Sequence, residues 1–584
     1  MDNRQSLILQ TIITLPLLLF IFIYPNHISY IYMFIPTILA IFLGLNIYKY
    51  KKQKTIIKTP LLSILVISFL FYVFSGLGSR TAPQSFENLK TSNKNMIFKF
   101  EQKEHIDKFC YYIGVDKNAQ FRLGYKEQNR WKQFYNYKKN FPLSFRWNCE
   151  KVDIDTSEIG MIVTKNSIHL GEMRFLNHGK SIPFSTTMTK LNDEHNITID
   201  KSYYGSMFFD EIYFGRTAYE IVHKLQIYET THPFLGKVLI SQGIKLFGMT
   251  PFGWRFINAI FGVLLIIIIY YLASIIFRDR VWSILTATIL TYSFMHLTQA
   301  RISIIDTFGV SFVLVSYYFF YRFILKQKLF WLIFSGVAFG LASAIKWSAV
   351  FSSLGFLAIG LFLIFSKYPL SKQFAGYRLV LYGILSYIIV GFVVYYMTFY
   401  IYMEHNSFSD IINYQINMYK YHTALKATHP YSSPWWSWII DFKPMCYYRD
   451  IQGDRFSSIT AFGNPAIFWT GILAILYLFY VTIRHKKLEA IFILSAFLGL
   501  YLPYIFIGRL MFIYHFYYAV PFLILAIVYL WRDMYRYKYA KILLYLYIIS
   551  IMGLFLSFYP VLCGYNIPKW YVDNYLVWFN SWWL

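Results

Sequence analysis

The chain has 584 residues, 57% hydrophobic, 21% aromatic and only 14% charged, with a mean hydropathy of +0.42. Soluble domains carry about 25% charged residues, so an ordinary water-soluble enzyme is excluded. Lys and Arg number 55 against 29 Asp and Glu, a net charge of +26, but these bases alternate with long apolar runs, which points to membrane topology and not to nucleic acid.

An apolar run of about 20 residues crosses the hydrocarbon core. Such runs lie near 7–24, 28–48, 61–79, 254–277, 282–299, 304–323, 330–346, 349–366, 379–402, 465–483, 489–507, 511–530 and 542–560. The expected fold class is a mainly α, polytopic membrane protein of about 13 transmembrane helices. The first run has no small-residue cleavage site and reads as a span, not a signal peptide. Basic residues collect in alternate loops: Lys49 to Lys58, Arg278 and Arg280, Arg322 to Lys328, Lys367 to Arg378, Arg484 to Lys487, and Arg532 to Lys541. With thirteen spans these loops share one side, which the positive-inside rule makes cytoplasmic, together with the N-terminus. The segments 80–253 and 403–464 and the tail after 560 then face outward.

The outward segment begins with short alternating runs, MIFKFEQ, AQFRLGY, FPLSFRW, IGMIVTK and EMRFLN, separated by Gly, Asn and Asp. Period-two alternation marks half-buried strands, and the spacing suits a β-sandwich or jelly roll. The expected organisation is N-terminal spans over 1–80, this β insertion over 81–205, an outer loop over 206–253, spans over 254–402, a second outer loop over 403–464, and C-terminal spans with an outward tail over 465–584. Cys110 and Cys149 fall inside the insertion, where both a disulfide and two buried thiols remain open. The four cysteines have no CxxC spacing and give no zinc site.

Three outward features carry chemistry. Asp210 and Glu211 lie in FDEIYF, where a carboxylate beside aromatic side chains can serve as a general base; a helix N-terminus also favours acids. Arg255, Arg301, Lys346, Arg509 and His515 stand alone at the outer ends of spans, where the positive-inside rule gives no reason for cations. With His232 and Lys237 near the Asp loop, they are candidates for a lipid-phosphate site, since Arg and Lys match phosphate. Snorkelling, or pairing with Asp306 or Glu404, is the plainer account of each one. Third, Trp435, Trp436 and Trp438 in HPYSSPWWSW form either an interfacial belt or a stacking wall for a sugar or acceptor.

FDEIYFGR at 209–216, HPFLGK at 232–237, PFGWR at 251–255, RISIID at 301–306, GLASAIKW at 340–347, HPYSSPWWSW at 429–438, GNP at 463–465 and RLMFIYHFYY at 509–518 occur in that order. Together they resemble the protein O-mannosyltransferase family of membrane glycosyltransferases with the C-type fold, a likeness running from about residue 200 to the C-terminus. The resemblance implies an outward active site, a polyprenyl-phosphate sugar as donor, and Asp210 as catalytic base with Glu211 beside it. It also makes 7–48 an added hairpin. Two features depart from the family pattern: the β insertion precedes the Asp-Glu pair, and the large sugar-binding repeat domain of eukaryotic members is absent.

The expected reaction is inverting transfer of mannose or another hexose to a hydroxyl, of Ser or Thr in secreted or membrane proteins, outside a bacterial cell membrane. No P-loop or Rossmann signature supports a nucleotide-sugar donor, and no essential metal or other cofactor is expected. The expected partners are the lipid-linked donor, an acceptor protein or glycan, and the bilayer; nucleic acid is not one. Homo- or hetero-oligomerisation is left open. A related transferase acting on a lipid or cell-wall glycan is the first alternative, and a transporter or flippase with charges lining a path is the second.

Overall fold

Apolar runs long enough to cross a bilayer fold as helices in the computed structural model, which describes residues 60–93, 96–128, 130–139, 143–366, 376–403 and 406–584. The expected spans at 7–24 and 28–48 and the basic run at 49–58 lie outside the described residues. Among the described residues seven helices are long and apolar enough to span: Pro251–Phe277, Asp306–Lys326, Trp347–Phe365, Gly376–Met397, Pro465–His485, Leu488–Phe506 and Lys538–Cys563. Leu62–Phe74 and Leu329–Ser343 are shorter apolar helices.

Two expected spans are interrupted. The run at 282–299 is two helices, Arg280–Thr291 and Phe294–Arg301, broken at Tyr292 and Ser293. Every residue of the second is buried although it carries His296, Thr298, Gln299 and Arg301. Polar groups at membrane depth must be satisfied inside the protein. Accordingly Asn258 Nδ2 donates to the Gln299 carbonyl at 2.7 Å, and Gln299 Nε2 donates to the Tyr447 hydroxyl at 2.8 Å. The run at 511–530 opens with a 3₁₀ turn, Ile513–Tyr518, before the helix Val520–Met534, which carries Pro521 in its first turn, where a missing N–H costs nothing.

The chain divides into two units, one of residues 76–229 with 237–257, the other of the remaining described residues. In the first, β1 (Glu87–Lys90), β2 (Met96–Asp116), β3 (Gln120–Glu127), β4 (Arg130–Tyr137), β5 (Ser144–Lys165), β6 (Ser167–Asn177) and β7 (Lys180–Ile182) form one antiparallel sheet in the order β1-β6-β2-β5-β3-β4, with β7 on β6. One sheet stands where two facing sheets were expected. Its middle strands β2 and β5 are 21 and 22 residues long. Register shifts at Lys99/Glu104 and Ile106/Lys108 interrupt their pairing, and such irregularities bend strands. β4 is three strands from β2 in the sheet, yet the Tyr135 and Tyr111 hydroxyls bond at 2.7 Å and Tyr137 donates to Asp116 at 2.7 Å. The sheet is therefore rolled around Phe98, Phe109, Tyr111, Phe121, Tyr137 and Phe175, all fully buried.

Cys110 and Cys149 face each other across β2 and β5, with Cα atoms 4.1 Å apart, and form a disulfide; Cys446 and Cys563 are free and buried. Alkylation of the denatured, unreduced protein should therefore label two cysteines, Cys446 and Cys563. Four labels would show that the bridge does not form. Replacing Cys110 and Cys149 by Ala should cost this unit about 2–4 kcal/mol.

In the second unit, glycines bring helices together without needing a driving force that lipid cannot supply. A Cβ on Gly499 would meet the backbone of Gly355, so Ser352–Phe365 and Leu488–Tyr501 pack backbone to backbone. The loop and tail flanking the helices add a three-stranded sheet: β8 (Met445–Gln452) and β9 (Arg455–Ala461) form a hairpin, and β10 (Ile567–Pro568) pairs with β9. The tail is packed, since Trp582 is buried and its indole donates to the Asp441 carbonyl at 2.9 Å.

Candidate active site

In the first unit the helix Glu211–Val222 starts immediately after Asp210. Asp210 occupies the N-cap position, but its side chain makes no capping bond. The residue before it, Phe209, has φ +49°. An aromatic residue in the left-handed region costs of order 1–3 kcal/mol, and such strain gathers at functional sites. The half-buried Asp210 is thus set at a strained corner where a chain enters a helix.

Its neighbour is used differently. Glu211 is fully buried; its two oxygens accept from Arg255 Nε and Nη2, each at 2.7 Å, and from Trp254 Nε1 at 3.3 Å. Arg255 also donates to the carbonyls of Leu77 at 2.8 Å and Ser206 at 3.3 Å. This bidentate pair locks the corner that carries Asp210. Both side chains are committed within the protein: Glu211 anchors Arg255, and Arg255 spends its fork on Glu211 and two carbonyls. Lys237 is committed likewise. It is fully buried and donates to Glu229 Oε2 at 2.6 Å. Burial lowers the affinity of its ammonium for the proton, against the pull of Glu229.

In the second unit the other expected bases lie on several elements. Lys346, just before the turn Trp347–Phe351, pairs with Asp306 at 2.8 Å and sits 5.4 Å over the Tyr514 ring. His232 belongs to the segment 230–236, which is tied to the chain two residues before Lys346 because Leu235 N–H donates to the Ala344 carbonyl at 3.1 Å. Arg509 is half-buried and makes no hydrogen bond or ion pair among the described residues. His515 stacks on Tyr514 at 4.6 Å and on Trp438 at 5.9 Å. Arg301 is partly bound elsewhere: its Nη1 donates to the Tyr72 and Val73 carbonyls, each at 2.8 Å, where a cation suits a helix C-terminus.

One residue that draws these together has no motif around it. The helix Phe408–Ala424, capped by Ser407 and Asp410, presents Ile411, Tyr414, Met418 and His422 at helical spacing. Tyr414 donates to the His232 carbonyl at 2.7 Å and His422 Nε2 to the Thr231 carbonyl at 2.8 Å. The His422 and His232 rings are 5.4 Å apart. Burial, then the charges of Arg509, His232 and Lys346, push the His422 imidazole down to about 4. The same three charges act on His515. Lys346 and Arg509, with His232, therefore form one electropositive cluster beside the His422 and His515 rings.

The three tryptophans do not make one wall. Trp438 is fully buried behind His515, with its indole donating to Ser433 at 3.0 Å. Trp435 is half-buried against Tyr501 at 5.5 Å. Trp436 is 54% exposed and alone offers an open indole face. Among the described residues no group of three His, Cys, Asp or Glu side chains is gathered as for a metal ion.

Residues 231–410 match the family described as dolichyl-phosphate-mannose-protein mannosyltransferase. Residues 407–582 match the C-terminal four-transmembrane region of protein O-mannosyltransferase. The chain belongs to the protein O-mannosyltransferase family. A polyprenol-phosphate-mannose–protein mannosyltransferase of Corynebacterium glutamicum is 25% identical over 426 residues, covering 60% of this chain and 81% of the relative. That of Mycobacterium tuberculosis is 22% identical over 454 residues, 65% of this chain and 87% of the relative. Among solved structures, the S. cerevisiae protein O-mannosyltransferase Pmt1-Pmt2 complex bound to its sugar donor has a TM-score of 0.57 at 14% identity, covering 64% of this chain and 88% of that one. At that identity the likeness establishes the fold. The protein is thus a multi-pass membrane glycosyltransferase of this family.

The family match begins at residue 231, so Asp210 and the rolled sheet lie before it, whereas the whole electropositive cluster and His422 lie within the two matched regions. His422 and Glu229 were not visible as site residues in the sequence. A lone histidine in a polar helix and a lone glutamate in a loop become notable only beside their partners.

Proposed function

We propose that this family member transfers mannose from a polyprenyl-phosphate donor to a Ser or Thr hydroxyl of proteins, on the extracytoplasmic face of the cell membrane. The observation that carries this reading is the cluster of Lys346 and Arg509 with His232, set beside the His515 and His422 rings, whose charge suits the phosphate of a lipid-linked sugar. The Cys110–Cys149 disulfide supports an oxidising, extracytoplasmic setting for the rolled sheet.

The acceptor oxygen attacks the anomeric carbon and gives its proton to Asp210. The bond from that carbon to the phosphate oxygen breaks, with inversion, and polyprenyl phosphate leaves. Negative charge grows on the departing phosphate, and preorganised cations stabilise it most where it grows most. Lys346 is held by Asp306 and Arg509 has no competing partner among the described residues, so Arg509 is the cation most available to it. Trp436 is the indole left open for the acceptor.

The test is transfer of labelled mannose from the polyprenyl-phosphate donor to a Ser/Thr peptide by purified protein in lipid vesicles, with release of polyprenyl phosphate. Donor consumed with label recovered only in lipid or glycan would overturn the protein acceptor. Undiminished transfer in EDTA is expected, since the reading assigns all charge stabilisation to side chains. Arg509→Ala should lower turnover by about 10²–10³-fold. Arg509→Lys should fall between, because it keeps the charge and loses the bidentate fork. Equal turnover in all three proteins would remove Arg509 from the phosphate site.

A further inference from the structure

His422 has an unused atom. Its Nε2 faces the Thr231 carbonyl at 2.8 Å. A carbonyl only accepts, so Nε2 carries the proton. The ring is neutral at ordinary pH, and a neutral imidazole has one proton, which leaves Nδ1 as a bare acceptor. That Nδ1 is buried and has no hydrogen-bond partner among the described residues. A buried acceptor without a partner is costly; it stays where a ligand will supply the donor. Its surroundings say which kind. Arg509, His232 and Lys346 act on the ring, so a lipid phosphate bound by them lies close by, but phosphate oxygens cannot donate to Nδ1. A hydroxyl can.

Two further features beside His422 fit a sugar. Gln415, two turns before His422, accepts from the Tyr395 hydroxyl at 2.5 Å and leaves its Nε2 donor without a partner among the described residues. The half-buried Trp347 indole donates to that same Tyr395 hydroxyl at 3.1 Å, and its ring is 6.4 Å from the His422 ring. An aromatic face flanked by one free acceptor and one free donor is how a protein meets the mixed polar and apolar surface of a pyranose.

We infer that the helix Phe408–Ala424 reads the donor sugar, with His422 Nδ1 accepting a hydrogen bond from the hydroxyl on the carbon next to the anomeric centre. That hydroxyl is the one closest by covalent connection to the phosphate that the cations hold. The inference rests on the donor assigned above and adds a specificity-determining residue to it. His422 moves no proton in the reaction; it selects and orients the sugar.

The experiment is a cycle of two enzymes and three donors: wild type and His422→Gln, each with polyprenyl-phosphate mannose and its 2-deoxy and 6-deoxy counterparts. Glutamine can still donate to the Thr231 carbonyl but has no acceptor at the Nδ1 position, and equal thermal stability of the two proteins in detergent checks that the helix stays seated. On the natural donor His422→Gln should lower kcat/KM about 10–100-fold, as for a hydroxyl left unpaired in a closed site. On the 2-deoxy donor the two proteins should agree within about 3-fold, while the 6-deoxy donor keeps the full penalty. His422→Asn, whose amide oxygen falls near Nδ1, should recover part of the loss on the natural donor. A glutamine penalty of the same size on the 2-deoxy donor overturns the contact, as does a variant equal to wild type on the natural donor. A wild-type protein that moves no mannose from the natural donor overturns the donor assignment and this inference together; an active wild type with unchanged ratios overturns this inference alone.

Discussion

Asp210→Asn is expected to lower mannose transfer by about 10²–10⁴-fold, the usual worth of a general base, without changing the amount or melting temperature of folded protein. The amide matches the carboxylate in size and cannot take the acceptor proton. Nor should the helix suffer: the Asp210 side chain makes no capping bond, and Asn is as good as Asp at an N-cap. The left-handed Phe209 before it is held by the surrounding fold. Donor binding, read by retention of labelled polyprenyl-phosphate mannose, should therefore persist in the variant. Turnover within a few-fold of wild type at equal donor binding would take the base role from Asp210.

Periodicity and length made much of this molecule readable in advance. Eleven expected spans between residues 61 and 560 fall on helical segments, because a run such as FGVLLIIIIYYLASIIF has no other way to satisfy its backbone in lipid. The two interrupted spans were not readable. Hydropathy cannot see that Asn258 satisfies the Gln299 carbonyl, which lets a polar helix such as Phe294–Arg301 stay buried. Alternation announced the strands of the insertion, but which strand pairs with which depends on long-range contacts such as Tyr111 with Tyr135, and these turn an expected sandwich into one rolled sheet. The candidate site shows the same division. Residue type identified the isolated bases, yet type alone cannot tell Arg509, which has no partner among the described residues, from Arg255, which has Glu211, or Lys237, which has Glu229. Partners are a property of the folded chain.

That difference between neighbouring carboxylates yields the opposite expectation for Glu211. Breaking a buried ion pair by removing one partner costs about 3–5 kcal/mol, because the other charge is left uncompensated. Glu211→Gln keeps the shape but leaves the Arg255 guanidinium, only 1% exposed, facing a neutral amide. The variant should melt well below wild type and express poorly, and the protein that does fold should retain turnover within about 10-fold, since its Asp210 is intact. Arg255→Met should cost as much alone, by leaving the Glu211 carboxylate buried and unpaired. The double variant Glu211→Gln/Arg255→Met is the decisive one: with both charges gone no uncompensated charge remains, and well-packed neutral replacements of buried pairs are often close to neutral. Its melting temperature should return most of the way to wild type, a coupling of several kcal/mol between the two sites. If instead Glu211→Gln folds as well as wild type and loses as much activity as Asp210→Asn, Glu211 takes part in the chemistry and its contact with Arg255 serves to hold a reacting carboxylate in place.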